Sequence, residues 1–372
     1  MLSFFTGAMG LDLGLIRAGL DVRLGQELDP RAIGTIRENK HAVVPGDIRQ
    51  LLDDDPRLTG FLKQAGVRRA NLFAVVGGPP CQPFSTAGHR RGVDDERGLL
   101  VFDFLRAAKV LQPRFIVIEN VKGVLSSPGF HGSTLLDDIL ARVEAMGYQT
   151  LWGLMDAAYY GVPQFRERLI IIGSRDAEAV FIPAPTHFPR HQDANYRWRT
   201  LRDAIGDLED TISEGARFSP RVQEILRLVP EGGNWRSLPP DIARQAMGGA
   251  WESGGGKVGF FRRLSFAEPS PTLVTSPVQK ATMLAHPTRL RPLSVREYAR
   301  IQGFPDDWAF NGTTTDKYKQ IGNAVPVQLG QAIGLMLRSV AEGKATIVTK
   351  RQRGTSVHRQ AGEIIGRSEA VA

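Results

Sequence analysis

Only one cysteine, Cys81, occurs in the 372 residues. An intramolecular disulfide framework is thereby excluded, and so is a cysteine-rich zinc site. His89 has no partner ligands spaced nearby, so no metal site is expected. No apolar run approaches the roughly 20 residues of a membrane-spanning helix. A charged n-region, apolar h-region and cleavage site are missing at the N-terminus, which predicts a cytoplasmic chain with no membrane partner. No internal repeat is visible.

The net charge of +8 is unevenly spread. Residues 1–186 balance 21 basic against 21 acidic side chains, whereas residues 187–302 carry 17 against 12. The stretch 341–372 adds six against three, with few large apolar residues, and is expected to be a poorly ordered basic tail. A neutral Gly-rich part followed by a basic segment suits a cofactor domain joined to one that contacts phosphates.

Short apolar runs at Leu2–Phe5, Asp21–Gln26, Phe73–Val76, Phe115–Glu119 and Leu169–Ile172 read as buried strands. Helical spacing appears between them at Leu11–Ala18, Pro30–Asn39, Leu99–Leu111 and Leu135–Met146. This alternation predicts an α/β fold, a parallel sheet with helices on both faces, with ligands at the carboxyl ends of the strands. The rhythm fails from Pro183 to about Gly259, where Gly232–Trp235 and Gly254–Lys257 read as loops, and helical pattern returns at Ser294–Gln302 and Val325–Leu337.

Two places carry chemistry. At the first, Phe5-Thr6-Gly7-Ala8-Met9-Gly10 follows the first strand and opens a helix, and Glu27 ends the second strand, placed to accept from ribose hydroxyls. Asp47 follows the third apolar patch, Ala42–Val44, where a carboxylate could meet an adenine amino group. A Gly-rich turn plus an acid is also found in nicotinamide dehydrogenases and can be a plain structural turn. At the second, a buried strand runs through Gly77-Gly78 into Pro79-Pro80-Cys81-Gln82. A lone cysteine is ordinarily a small buried hydrophobe. Two prolines before it argue otherwise, since they suit a nucleophile held rigidly at a cleft rim. Glu119 ends a neighbouring buried strand, and Arg166 and Arg168 enter the last one on a common face; such arginines could meet a base carbonyl, a phosphate or solvent.

In order, the Gly-rich start, Pro-Cys-Gln, Glu119-Asn120-Val121, Gln164-x-Arg166-x-Arg168 and Gly322-Asn323-Ala324-Val325-Pro326 resemble the motif set of the DNA (cytosine-5) methyltransferases. The resemblance runs from Leu2 to about Leu337 and omits the middle segment. It implies a Rossmann-like sheet dependent on S-adenosyl-L-methionine, with a smaller, irregular target-recognition domain. It further implies that Cys81 attacks carbon 6 of cytosine, Glu119 hydrogen-bonds ring nitrogen 3, Arg168 contacts the base carbonyl and Arg166 supports the Cys81 loop. The cofactor would be held by Phe5, Gly7, Gly10, Glu27, Leu28, Asp47, Ile48, Pro80, Leu100 and Asn323. Gln82 would contact DNA, as would Ser85, Arg90, Arg91 and Arg97 from a loop, Ser85–Arg97, that mixes glycines with cations. The target base would be flipped out of the duplex.

The expected domains are 1–186 with 318–340 (catalytic, cofactor-binding), 187–287 (target recognition), 288–317 (hinge) and the tail 341–372. The expected partner is double-stranded DNA, with a restriction endonuclease acting on the same sequence but not bound to it; the chain itself is expected to be a nucleoid-associated monomer. Met9 departs from the family's usual second glycine. An amino-methylating enzyme would have an Asp/Asn/Ser-Pro-Pro-aromatic motif, and a two-cysteine RNA methyltransferase needs a second Cys. Two alternatives remain open: a tRNA-modifying relative in the same family, and a catalytically silent DNA-binding homologue, which would be expected to lose Cys81, Glu119 or an arginine.

Overall fold

The computed structural model describes residues 1–80, 100–130, 132–176, 178–208, 214–252 and 258–344. Its strands are β1 (Leu2–Phe4), β2 (Leu24–Glu27), β3 (Val43–Pro45), β4 (Ala74–Gly77), β5 (Phe115–Val121), β6 (Gln149–Asp156) and β7 (Glu167–Ser174). They form one sheet in the order β3-β2-β1-β4-β5-β7-β6. The chain leaves β1 toward one edge and resumes at β4 on its other side, so the order reverses between β1 and β4. A crevice for ligands opens at such a point.

The helices are α1 (Gly10–Arg17), α2 (Pro30–Glu38), α3 (Ile48–Leu52), α4 (Asp55–Ala65), α5 (Leu100–Leu111), α6 (Leu135–Ala145), α7 (Leu201–Ile205), α8 (Pro220–Arg227), α9 (Pro240–Met247), α10 (Gly249–Glu252), α11 (Val295–Gln302), α12 (Thr314–Asn323) and α13 (Val327–Ala341). One face of the sheet packs on α3 to α6 through Leu58, Phe61, Phe104, Leu105 and Ile139. The other packs on α1 and α13 through Leu11, Leu15, Leu329 and Ile333. No described helix is long and apolar enough to cross a membrane.

The sheet is mixed rather than parallel. β7 lies between β5 and β6 and runs antiparallel to both. The ten residues from Ala157 to Arg166 link β6 directly to β7 without a long helical crossover, and such a link returns the chain in the opposite direction. β6 escapes a reading by hydrophobicity because its first four residues are only half-buried or exposed.

Two further cores lie beyond the sheet. Leu201, Phe266, Leu273, Leu293, Tyr298 and Ile321 join Ile33 and Ile36 of α2, so α11, inside the segment expected as a hinge, is part of a core. A small separate cluster of Phe218, Leu226, Leu238, Met247 and Phe261 gathers the short helices α8 and α9. Residues 187–199 pack on the link between β6 and β7: the Trp198 ring meets Tyr159 at 5.2 Å and Phe165 at 5.0 Å.

Candidate active site

The carboxyl ends of β1, β2, β4 and β5 bring the two chemical regions of the sequence to one rim. On the cofactor side, Phe5 and Gly7 both have φ of 55° and Met9 has φ of 68°. Left-handed backbone is ordinary for Gly7, whereas an L side chain at φ > 0 costs about 1 kcal/mol. Met9 thus keeps the conformation that the family's glycine would favour, and its side chain is buried in the core shared with α2. The turn is fixed by Glu27, whose carboxylate accepts from the Gly7 N–H (2.7 Å), the Leu28 N–H (2.7 Å) and the Asp29 N–H (2.9 Å).

Space for a ligand exists above this turn. Nothing lies within 4 Å of the position a Cβ would take on Gly7, and Leu28 is 60% exposed beside Glu27. An exposed large apolar side chain next to a ribose-binding type of carboxylate fits a nucleoside. Pro80 is exposed, Leu100 is half-buried as the first residue of α5, and Asn323 is exposed at the end of α12. The segment after Asn323 closes on the turn so tightly that a Cβ on Gly10 would meet the Val325 carbonyl oxygen at 2.1 Å. Asp47 caps α3 and is paired with Arg49, which holds its carboxyl below the usual range, and Ile48 is buried in the core.

On the catalytic side, Glu119 is 9% exposed, and Arg168 Nε lies 2.8 Å from its Oε1. Burial raises the Glu119 carboxyl above its ordinary range, opposed by Arg168 and Arg166. Gly78 lets Glu119 lie close against the turn: a Cβ on it would meet Glu119 Oε2 at 2.8 Å. The Asn120 side chain donates to the Pro79 carbonyl at 3.2 Å, tying the end of β5 to the turn that leads into Cys81. Sequence reasoning did not assign Gly78 or Asn120 a role, although both stand inside the quoted motifs. Cys81, Gln82, Ser85, Arg90, Arg91 and Arg97 lie outside the described residues.

Arg166 differs from Arg168. It is 2% exposed and donates to the carbonyls of Leu273 (2.9 Å) and Gly322 (2.7 Å), and burial pushes its guanidinium down to about 9. Its partners among the described residues are therefore the segments behind the site, while Asn120 reaches Pro79. Gln164 reinforces this clasp, which sequence reasoning missed. Its amide donates to Gln302 (2.6 Å) and accepts from the Leu273 N–H (2.9 Å), while Gln302 donates to the carbonyls of Ile321 (2.9 Å) and Ala324 (2.6 Å).

The family model for C-5 cytosine-specific DNA methylases matches residues 1–338. The chain is 44% identical over 345 residues to the Type II methyltransferase M.Eco47II of Escherichia coli, covering 90% of this chain and 77% of that protein. It is 40% identical over 336 residues to M.Sau96I of Staphylococcus aureus, covering 90% and 74%. Among solved structures it resembles a DNA modification methyltransferase encoded within an E. coli prophage, with a TM-score of 0.65, 26% identity and coverage of 92% and 99%. The Spodoptera frugiperda DNMT2 fold is similar at 17% identity, with a TM-score of 0.56 and coverage of 91% and 98%. With the fold, the rim and these relatives in agreement, the chain belongs to the C-5 cytosine-specific DNA methylase family and is a DNA (cytosine-5) methyltransferase.

Proposed function

We propose that this enzyme methylates carbon 5 of a flipped-out cytosine in one specific double-stranded DNA sequence, using S-adenosylmethionine and a transient bond from Cys81 to carbon 6. The observation that carries this reading is the buried Glu119–Arg168 pair at the end of β5, packed against Gly78 and joined through Asn120 to Pro79, two residues before Cys81 in sequence. A cytosine ring entering that rim would meet a carboxyl and a guanidinium side by side. The raised carboxyl of Glu119 favours its acid form, which can donate to ring nitrogen 3. Arg168 faces the adjacent carbonyl, and together they offset the negative charge that builds on the ring.

The Cys81 thiolate forms the carbon–sulfur bond at carbon 6, and the displaced electron pair is shared by carbon 5 and the nitrogen 3 edge. S-adenosylmethionine, when bound, supplies an electrophilic methyl group. After carbon 5 has been alkylated, loss of its proton restores the ring and expels the thiolate. Phe5, Gly7, Gly10, Glu27, Leu28, Asn323 and the main chain at Asp47–Ile48 are the groups proposed to hold the cofactor, with Pro80 and Leu100 at its catalytic end. Arg166 positions the segments behind the rim. DNA contacts are assigned to Gln82, Ser85, Arg90, Arg91 and Arg97, and sequence selection to residues 187–287. The enzyme works as a monomer, without a stable complex with any endonuclease of the same specificity.

Duplex DNA containing 5-fluorocytosine at the target tests the covalent step, because fluorine at carbon 5 cannot leave as a proton does. The wild type should form a complex with it that survives denaturation, and Cys81→Ser should bind the same DNA without forming one. Normal turnover by Cys81→Ser would overturn the mechanism.

A further inference from the structure

Asp12 lies in the first turn of α1, two residues after Gly10. It is 1% exposed, and neither carboxylate oxygen accepts a full hydrogen bond; the Ser3 side chain is its weak polar partner. Such a group is costly to bury as an anion unless a positive charge is brought to it. Its surroundings supply none. The polar neighbour on β1 is Ser3, and the charge that acts on it from β2 is Glu27, itself negative. α13 meets α1 through glycines, with Gly330 against Leu11 and Gly334 against Ala18. Arg17, at the far end of α1, donates instead to the Gly303 carbonyl. Burial, joined by Glu27, raises the Asp12 carboxyl to about 7, so its charge is in balance near neutral pH.

The turn above Asp12 is the one assigned to the cofactor, and this inference rests on that reading. A methyl donor of the sulfonium type carries a positive charge, and the thioether left after transfer does not. A buried carboxylate in low-dielectric surroundings responds strongly to such a difference. We propose that Asp12 is the counter-charge by which the Gly-rich turn distinguishes the cationic methyl donor from its neutral product, releasing its proton to solvent as the donor binds. Asp12 acts from beneath the turn and is a specificity residue; it touches no reacting atom.

Calorimetric titration of the full chain with S-adenosylmethionine and with S-adenosylhomocysteine, at pH 5.5 and 7.5 and in buffers of different ionisation enthalpy, tests this. Donor affinity should rise about tenfold over that interval, with proton release at the lower pH, while affinity for the thioether stays flat. Asp12→Asn should lose about tenfold in the donor-to-product affinity ratio and its pH dependence, with product binding retained as evidence of an intact pocket. Asp12→Glu should restore part of the ratio. Equal pH responses for both ligands in the wild type, or an unchanged ratio in Asp12→Asn, would overturn the proposal. Should Asp12→Asn fail to fold, the wild-type proton release still decides. Binding of neither ligand to the wild type would instead sink the cofactor assignment itself.

Discussion

Arg166 and Arg168 stand two residues apart, yet they belong to regions built on opposite principles. Around Arg166, Gln164 and Gln302, polar groups from distant parts of the chain are tied together by hydrogen bonds and sealed from water, although Arg166 Nε has no acceptor. Around Arg168, Glu119 and the Gly-rich turn, charge is concentrated at a rim where burial opposes ionisation. Asp12 carries that second pattern furthest, buried with Ser3 as its weak polar partner and no cation acting on it. Polarity bonded across distant segments specifies a shape, whereas charge left unmatched, as at Asp12, awaits a substrate. Sequence spacing cannot separate the two, because the same residue type serves in both.

The sharpest way to break this contrast is Glu119→Gln. We expect kcat to fall about 10³-fold, with a melting temperature near that of the wild type, because a transition-state hydrogen bond is lost while the shape is kept. A large fall in stability with normal turnover of the folded fraction would reverse the assignment. Arg166→Met should do the opposite. Leaving the Leu273 and Gly322 carbonyls unmatched should cost about 3 kcal/mol in denaturant unfolding, while the folded fraction retains kcat within about tenfold.

Asp12→Asn extends the contrast to pH. A carboxyl raised on folding stabilises the native state below its unfolded value, near 3.8, and that contribution is lost as pH rises toward about 7. Wild-type stability relative to Asp12→Asn should therefore decline across that window, and parallel stability curves would remove Asp12 from the unmatched class. Asn120→Ala should have the smallest effect. Loss of its bond to the Pro79 carbonyl should cost about 1 kcal/mol or less in stability and lower kcat several-fold by loosening the Pro79–Pro80 segment.

Much of the sheet was legible because β1, β4 and β5 are buried apolar runs, and α1, α2, α5 and α6 follow helical spacing. The antiparallel β6–β7 pair was not, since direction depends on the short link between the strands. α12 was missed because its ten residues, from Thr314 to Asn323, are mostly polar; its buried Gln320 accepts from Thr35 across 285 residues. The rim was legible through its motifs. The clasp was hidden because a glutamine's burial depends on a partner as distant as Gln302 is from Gln164. Residues 187–287 yield only short helices, and periodicity over eight residues, as in α8 and α9, is too brief to stand out among the glycines and prolines around it.

The tight seat of α13 on α1 also bears on the order in which the molecule comes to life on the ribosome. A Cβ on Gly14 would meet the Val327 carbonyl at 2.3 Å, and one on Gly330 the Leu11 carbonyl at 2.7 Å, so the two helices fit only each other's bare backbone. The first-made helix therefore waits for the last. A nascent chain can lay down β1 to β5 early, but the floor beneath its Gly-rich turn stays open until more than 300 further residues have emerged. Translation that stalls before α13 should leave a sheet without a finished cofactor pocket, so that truncated products are silent and do not compete for the methyl donor.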